Sequence, residues 1–422
     1  MTYFVFTLGC KVNSYESSAI ATTLENKGYL LDEENPNVVV INTCSVTHVA
    51  DQKSRQHVRK FRKKYPNSIL VVMGCFAQSN TNYATEELDI DILLGTSNRS
   101  HIPEYIDSFI KDRKKIIAVE DNPRKFLKYE ELNVTSCSEN IRAYLKVQDG
   151  CDNFCSYCLV PYIRGKSRSR DFDMVIEEAK QLVEKGYREI VVSGIHVGWY
   201  GKDNGQSFSK LIEKLSDIEG LNRLRISSIE LSEIDDEFLV LLKNRDNIAK
   251  HLHLPLQSGS DNVLKMMGRK YTREQFINRV KEIKAEVPDV ALTSDVIVGF
   301  PGESEEDFMN TYKLLEELGF YQLHVFPYSV RKGTKAAELP NQISPKIKSE
   351  RVKRLLDLST RLQKQYEQKF VGKHLDVLFE RFDGQYNIGH TSNYLEIRQK
   401  SDYPRVGEIE NILIESSNIV KI

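Results

Sequence analysis

From residue 142 onward six short apolar runs recur: "RAYLKV" at 142–147, "EIVVSG" at 189–194, "RLRISS" at 223–228, "HLHLPL" at 251–256, "TSDVIVGF" at 293–300 and "YQLHVF" at 321–326. Helical patterns fill the gaps between them. Strands that alternate with helices build parallel sheets, because a crossover between parallel strands takes about a helix's length of chain. Six units are too few to close an eight-fold barrel. The stretch is therefore expected to fold as an open, partial (βα)6 barrel with its active site at the carboxyl ends of the strands.

The loop after the first run, "VQDGCDNFCSYC" at 147–158, sets Cys151, Cys155 and Cys158 at that edge in the spacing C-x3-C-x2-C. The chain has 422 residues and seven cysteines, an odd number in a chain too long to need staples, which argues against a disulfide framework. The start "MTYFVFTLGCKVN" lacks a cationic segment and a long apolar one, so it is no secretory signal, and a cytoplasmic protein with reduced thiols is expected. No apolar run approaches the ~20 residues of a membrane span, so no membrane contact is expected. A net charge of −1 gives no global attraction to nucleic acid, leaving that role to local patches. Structural zinc closes its shell with four Cys or His ligands, and no fourth lies within ten residues of this triplet. Three thiolates suit instead a four-iron cube with one iron left open.

The same pattern is written more loosely at the amino terminus. "YFVFTLG", "NVVVINT" and "ILVVMG" run into Cys10, Cys44 and Cys75, with helical patterns at 14–29 and 46–65 between them and "IDILLG" as a further strand. That predicts a doubly wound βαβ domain within residues 1–115. Three thiols at the ends of three parallel strands converge on the ligand-binding edge of such a sheet, as a second three-cysteine site. The plainer reading is three small apolar residues filling strand ends. Cys137, in the unpatterned "LNVTSCSEN", reads as a spare thiol.

Beyond residue 372, "KHLDVLFE", "YNIGHTSNYLEIRQ", "EIENILIE" and "NIVKI" are short strands parted by glycine and polar turns, a small all-β barrel after a helical stretch at 344–370. Aromatics on such a barrel either stack bases or pack on a neighbouring domain. Two basic runs are candidates for phosphate contact: Lys53, Arg55, Arg59, Lys60, Arg62, Lys63 and Lys64 on one helix, and "RGKSRSR" at 164–170. For the first, a solvated helix face is the simpler explanation.

The C-x3-C-x2-C spacing with Tyr157 before its last cysteine resembles the signature of radical S-adenosylmethionine (SAM) enzymes. The resemblance implies that Cys151, Cys155 and Cys158 hold a [4Fe-4S] cluster whose open iron chelates SAM, the source of a 5′-deoxyadenosyl radical. In that family the segments equivalent to "SGIHVGWYG", "LQSGSD" and "GFPGE" bind SAM, which points to Gly194, Gln257, Ser258, Asp295 and Gly299. His251 and His253 alternate onto one strand face and are read as barrel packing. No catalytic residue is assigned, including the base that takes the last proton from adenine.

With the amino-terminal three-cysteine domain added, the whole chain is similar to the methylthiotransferases, through "LGCKVNSYES", "INTCSVT", "MGCFAQ", "DGCDNFCSYCLVPYIRGKSRSR", "GIHVGWYG", "HLHLPLQSGSD" and "DVIVGFPGE". "LGCKVN" favours the MtaB branch, which acts on N(6)-threonylcarbamoyladenosine next to the anticodon of tRNA. The isopentenyladenosine branch tends to read "YGCQMN" there, and the ribosomal-protein branch "LGCPKN". The resemblance implies a second, auxiliary [4Fe-4S] cluster on Cys10, Cys44 and Cys75 that carries sulfur, and SAM as both methyl donor and radical source. It also implies an electron donor and a sulfur source of unknown identity, and a TRAM-like RNA-binding barrel over 372–422, following a radical SAM domain over 137–371. Two alternatives keep part of the pattern. A sister enzyme acting on isopentenyladenosine tRNA or a ribosomal protein keeps every motif; a zinc- and RNA-binding module leaves six βα units unexplained.

Overall fold

The computed structural model describes residues 1–134 and 141–420; Cys137 lies outside the described residues. The amino-terminal part comprises β1 (Thr2–Thr7), α1 (Lys11–Asn26), β2 (Leu30–Leu31), β3 (Val38–Thr43), α2 (His48–Lys64), β4 (Ile69–Gly74), α3 (Cys75–Ser79), α4 (Thr81–Glu87), β5 (Ile92–Leu94), α5 (Ile102–Asp112) and β6 (Ile116–Ala118). Its six strands are all parallel, in the order β2-β1-β3-β4-β5-β6. Central strands β3 and β4 are buried at every position, as expected of unbroken apolar runs covered on both faces. Strand order reverses between β1 and β3, and a doubly wound sheet opens its ligand crevice at such a switch point. Cys10 and Cys44 stand on its two sides. Sequence reading misses β2 and β6, edge strands of two and three residues too short to show a period.

The central part comprises β7 (Arg142–Asp149), α6 (Val160–Ile163), β8 (Arg168–Ser169), α7 (Phe172–Glu184), β9 (Glu189–Gly194), α8 (Phe208–Ser216), β10 (Arg223–Ile226), α9 (Asp236–Asn244), β11 (His251–His253), α10 (Asp261–Met267), α11 (Arg273–Glu286), β12 (Ala291–Val298), α12 (Glu305–Leu318), β13 (Gln322–Pro327) and α13 (Pro345–Gln368). Side-chain caps start most of the helices, with full capping boxes at Thr272/Gln275 and Ser304/Asp307. Parallel pairing runs β7-β9-β10 and β11-β12-β13, and parallel bridges Leu224–Ile248 and Ser228–His253 join the two halves. An antiparallel β8 edges β7, and β13 has no pairing with β7, so the barrel is the open six-stranded one expected.

Alternation along these strands decides what fills the barrel. Ala143, Leu145, Val147, Ile190, Val192, Leu224, Ile226, Leu252, Leu292 and Leu323 join one buried cluster with the outer helices. The intervening positions, Arg142, Glu189, Arg223, Arg225, His251, His253, Thr293, Asp295 and His324, therefore turn inward. A lumen lined with polar groups is a chamber for ligands, unlike the branched aliphatic filling of a closed eight-fold barrel.

The carboxyl-terminal part is an antiparallel sheet of β14 (His374–Phe382), β15 (Tyr386–Thr391), β16 (Glu396–Lys400) and β17 (Ile409–Leu413), in the order β16-β15-β14-β17. Its core of Val377, Phe379, Leu395, Ile397 and Ile414 packs on Tyr366 and Phe370 at the end of α13. The turn 390–394 inserts into the barrel floor. His390, Thr391 and Ser392 carbonyls accept hydrogen bonds from Arg223 and Arg225, and Tyr394 stacks on His251 with ring centroids 4.3 Å apart. Of the two roles open to the aromatics of this barrel, Tyr394 takes the packing one.

Candidate active site

Among the described residues every thiol is free, and the two cysteine sets sit where the strands end. Cys10 caps α1, Cys44 follows β3 and Cys75 opens α3; Cys151, Cys155 and Cys158 lie in the loop after β7. Three of these cysteines follow a glycine of positive φ: Gly9 at 119°, Gly74 at 97° and Gly150 at 73°. A Cβ on Gly150 would lie 1.9 Å from the Lys166 carbonyl, and one on Gly74 would lie 2.5 Å from Asn42 Oδ1. Only glycine lets the chain leave the strand so tightly. The dipeptide Gly-Cys, written three times, was a signal in the sequence that the reading above did not use.

The fit of these thiols to iron cubes rests on spacing. A tetrahedral zinc with Zn–S bonds of about 2.3 Å would draw its thiolates to about 3.8 Å of one another. Among the described residues neither cysteine triad has all its sulfurs within 4.8 Å; the one set of three ligating side chains that close is His253, Asp295 and His324. Open triads without a fourth ligand suit a larger cube with a free corner. Burial pushes the Cys75, Cys151 and Cys158 thiols up to about 12, so a cluster displaces protons as it binds. At the radical loop, His196 Nδ1 lies 3.5 Å from Cys151 Sγ and Arg269 Nη1 lies 3.6 Å from Cys155 Sγ, and the sequence reading assigned neither residue.

What joins the two sites is a buried charge network. Asn13, the last residue of "CKVN", donates to the Leu8 and Thr43 carbonyls at 2.7 and 3.1 Å, tying the Cys10 turn to the strand before Cys44. Its Oδ1 accepts from Arg164 Nη2 at 3.0 Å. Arg164 also pairs with Glu16 at 2.7 Å and Asp149 at 3.1 Å, while Arg99 and Lys146 reach Glu16 at 2.5 and 2.8 Å. Burial alone would raise the Glu16 carboxyl, but Arg164, Arg99 and Lys146 outweigh it and hold the group well below the usual range. Arg331, beyond β13, bolts the Cys44 loop from the other side through Asp51 at 2.7 Å and Ser45 at 2.9 Å.

This network takes the arginines of "RGKSRSR" away from the phosphate contact expected of the run and leaves Lys166 as its exposed cation. Arg164, Arg168 and Arg170 are buried against Glu16, Asp149, Glu131 and Glu178, because the carboxylates they neutralise lie on other segments of the fold. On α2 the picture divides. Arg62 turns inward to Asp91 and the Ser68 and Asp89 carbonyls, whereas Lys53, Arg59, Lys60, Lys63 and Lys64 are exposed.

A cavity of about 210 Å³ lies between the cysteine loops, walled by Val46 and Thr47 after Cys44, Tyr157 within the radical loop, and Gln257, Asp295, Ile297 and Phe326 of the barrel. Of the residues expected to bind SAM, Gln257 and Asp295 meet in this cavity. Gly194 ends β9 beside Gln148, whose Oε1 accepts from the His196 amide at 2.8 Å. Ser258 is buried in its own loop, its Oγ 3.3 Å from Thr311 Oγ1, and Gly299 donates its amide to Glu303 at 2.6 Å. Both shape turns rather than line the cavity. His253 Nε2 and His324 Nδ1 each lie 3.2 Å from Asp295 Oδ1. Burial opposes that charge, but these two hydrogen bonds keep the Asp295 carboxyl well below its ordinary value. His251 packs as expected, between Thr293 at 3.0 Å and Tyr394; His324, on the last strand, joins the site without having been anticipated.

Lys11 is exposed to water, yet it is not on the outer surface. Burial, Arg225 and Arg142 lower its ammonium to about 8, against the opposing pull of Glu189 and Cys10. It stands in the open space of the barrel lumen.

A profile of the radical SAM superfamily matches residues 145–315, and one of the uncharacterized protein family UPF0004 matches residues 2–95. The threonylcarbamoyladenosine tRNA methylthiotransferase MtaB of Bacillus subtilis (strain 168) is 44% identical over 417 residues, 97% of this chain and 92% of the relative. That of Aquifex aeolicus (strain VF5) is 36% identical over 97% of this chain and 98% of its own. A tRNA-2-methylthio-N(6)-dimethylallyladenosine synthase of Thermoanaerobacter sp. (strain X514) also reaches 36%, over 98% and 90%. In three dimensions the radical SAM methyltransferase TsrM from Kitasatospora setae, solved with cobalamin and a [4Fe-4S] cluster, has a TM-score of 0.58 at 14% identity. It covers 80% of this chain and 77% of its own, a likeness of architecture alone. With relatives matching nearly end to end, and six cysteines at the strand ends of two joined α/β units, the chain belongs to the radical SAM methylthiotransferases, in the MtaB branch.

Proposed function

We propose that this protein methylthiolates carbon-2 of N(6)-threonylcarbamoyladenosine next to the anticodon of tRNA. The observation that carries the reading is the cavity walled by both cysteine loops, which gives one substrate atom access to two sites. When bound, the cluster on Cys151, Cys155 and Cys158 with SAM supplies a radical, and the cluster on Cys10, Cys44 and Cys75 supplies sulfur that a further SAM methylates. The protein's part is placement. The Glu16–Arg164 network and the Arg331–Asp51 pair fix the two cysteine sets relative to each other. Gln257 and Asp295 lie where SAM would meet the substrate, and Gly194 lies at the end of β9 beside Gln148; Ser258 and Gly299 hold the turns of the loops that carry Gln257 and follow Asp295. In this reading residues 1–115 carry the auxiliary cluster, 137–371 the radical chemistry and 372–422 a TRAM-like domain. The reaction draws on an electron donor and a sulfur source in the cytoplasm.

The test is mass spectrometry of tRNA nucleosides from a deletion strain, with and without the restored gene. Loss of the methylthio form of threonylcarbamoyladenosine, recovered on complementation, is expected. Loss from isopentenyladenosine instead would replace this reading with that of the Thermoanaerobacter relative.

A further inference from the structure

The lumen holds a cation, Lys11, that has no ion pair among the described residues. Lys11 follows Cys10 directly and opens α1. Its ammonium lies within electrostatic reach of Arg142, Glu189, Arg225 and His251, which belong to β7, β9, β10 and β11. A group near four successive strands of a barrel is inside it. The arginines there are already engaged: Arg142 with Glu189 and Glu380, Arg223 and Arg225 with Glu189 and with carbonyls of the turn 390–392. Lys11 has no hydrogen bond or ion pair among the described residues. Counting Lys11, Arg142, Arg223 and Arg225 against Glu189, Glu380 and Asp295 gives four cations to three carboxylates, a formal excess of one positive charge. Lys11 is open to water in this space, and the excess is of the sign that receives an anion.

We infer that Lys11 receives the carboxylate of the substrate's N(6) substituent and thereby sets which modified adenosine the enzyme accepts. This rests on the function proposed above. The threonylcarbamoyl group ends in a carboxylate, whereas an isopentenyl group is uncharged and apolar. Lys11 adjoins the first ligand of the sulfur-carrying site, so an adenine presented there has its N(6) substituent within the same chamber. An ammonium that a bound substrate covers, and that pairs with the substrate's carboxylate, also rejects a substrate lacking one, because binding then leaves the charge desolvated and unpaired. The methionyl carboxylate of SAM is the other source of the same chemistry.

The test uses reconstituted, cluster-loaded enzyme and anticodon stem-loop RNAs carrying threonylcarbamoyladenosine, its methyl ester, or isopentenyladenosine, with dissociation constants read by fluorescence anisotropy. The wild type is expected to bind the acid at least about tenfold more tightly than the ester, equivalent to about 1.4 kcal/mol. Lys11→Gln should bring acid and ester within about twofold, Lys11→Arg should keep most of the preference, and SAM affinity should not move. If Lys11→Gln retains the wild-type preference for the acid, the inference is wrong. If it weakens SAM binding and leaves that preference intact, the carboxylate received is that of SAM. If Lys11→Gln loses iron, the ester comparison on the wild type and Lys11→Arg decides, and a wild type indifferent to esterification refutes the assignment. A wild type that methylthiolates only the isopentenyl RNA would defeat the function itself, a result distinct from all of these.

Discussion

Glu16 is the carboxylate on which the two halves of the active site are hung, and Glu16→Gln removes its charge while keeping its shape. The side chain is fully buried and takes Arg99 at 2.5 Å, Arg164 at 2.7 Å and Lys146 at 2.8 Å. With Asp149 and Glu130 it offsets Arg99, Lys146, Arg164 and Arg168, three carboxylates against four cations. The substitution raises the buried excess from one positive charge to two, with no water to screen it. Taking one partner from a buried ionic group costs about 3–5 kcal/mol, and that is the loss expected in anaerobic urea unfolding of the holoenzyme followed by circular dichroism. The pH dependence supplies a second check. Because the folded carboxyl is held below its unfolded value of about 4.3, its contribution is fully present at pH 7 and is lost as pH falls through the folded value. The gap between wild type and variant should thus be full at neutral pH, begin to narrow below about pH 4 and close only as pH falls through the folded value. A loosened junction should also uncouple the chemistry, raising the ratio of 5′-deoxyadenosine to methylthiolated product. A variant within about 1 kcal/mol of wild type, with an unchanged product ratio, would show that this network does not set the geometry.

Cysteines pushed up to about 12 by burial must give up protons to bind metal, so cadmium titration of apo protein should show affinity rising from pH 7 to pH 9; a flat profile would mean the thiols are already ionised. Arg269→Gln removes a positive charge beside Cys155, which should lower the reduction potential of the radical-site cluster in an EPR-monitored titration, with no shift counting against the contact. Tyr394→Ala deletes the ring stacked on His251 and lying 5.0 Å from the Arg225 guanidinium, and should cost about 2–4 kcal/mol in thermal unfolding; an unchanged Tm would mean the turn 390–394 does not plug the barrel.

The part of this fold legible in the chain alone is local. Apolar runs ending in cysteine, separated by helix-length gaps, specify parallel strands with thiols at their carboxyl ends, since strand period and chain connectivity admit little else. Six cysteines at strand ends, the open six-stranded barrel and the small β domain all follow from patterns within some tens of residues. The part that waits on folding concerns charge. Nothing near Arg164 in the chain announces Glu16, its partner 148 residues away, so an arginine of the domain junction reads as a phosphate contact. Lys11 reads as one more polar residue of a cysteine motif until the fold sets it among Arg142, Glu189, Arg225 and His251. His324 reaches Asp295, and Tyr394 the barrel floor, for the same reason. Secondary structure is written in the spacing of neighbours, whereas the state of a buried charge is fixed by groups that only folding brings within a few ångströms.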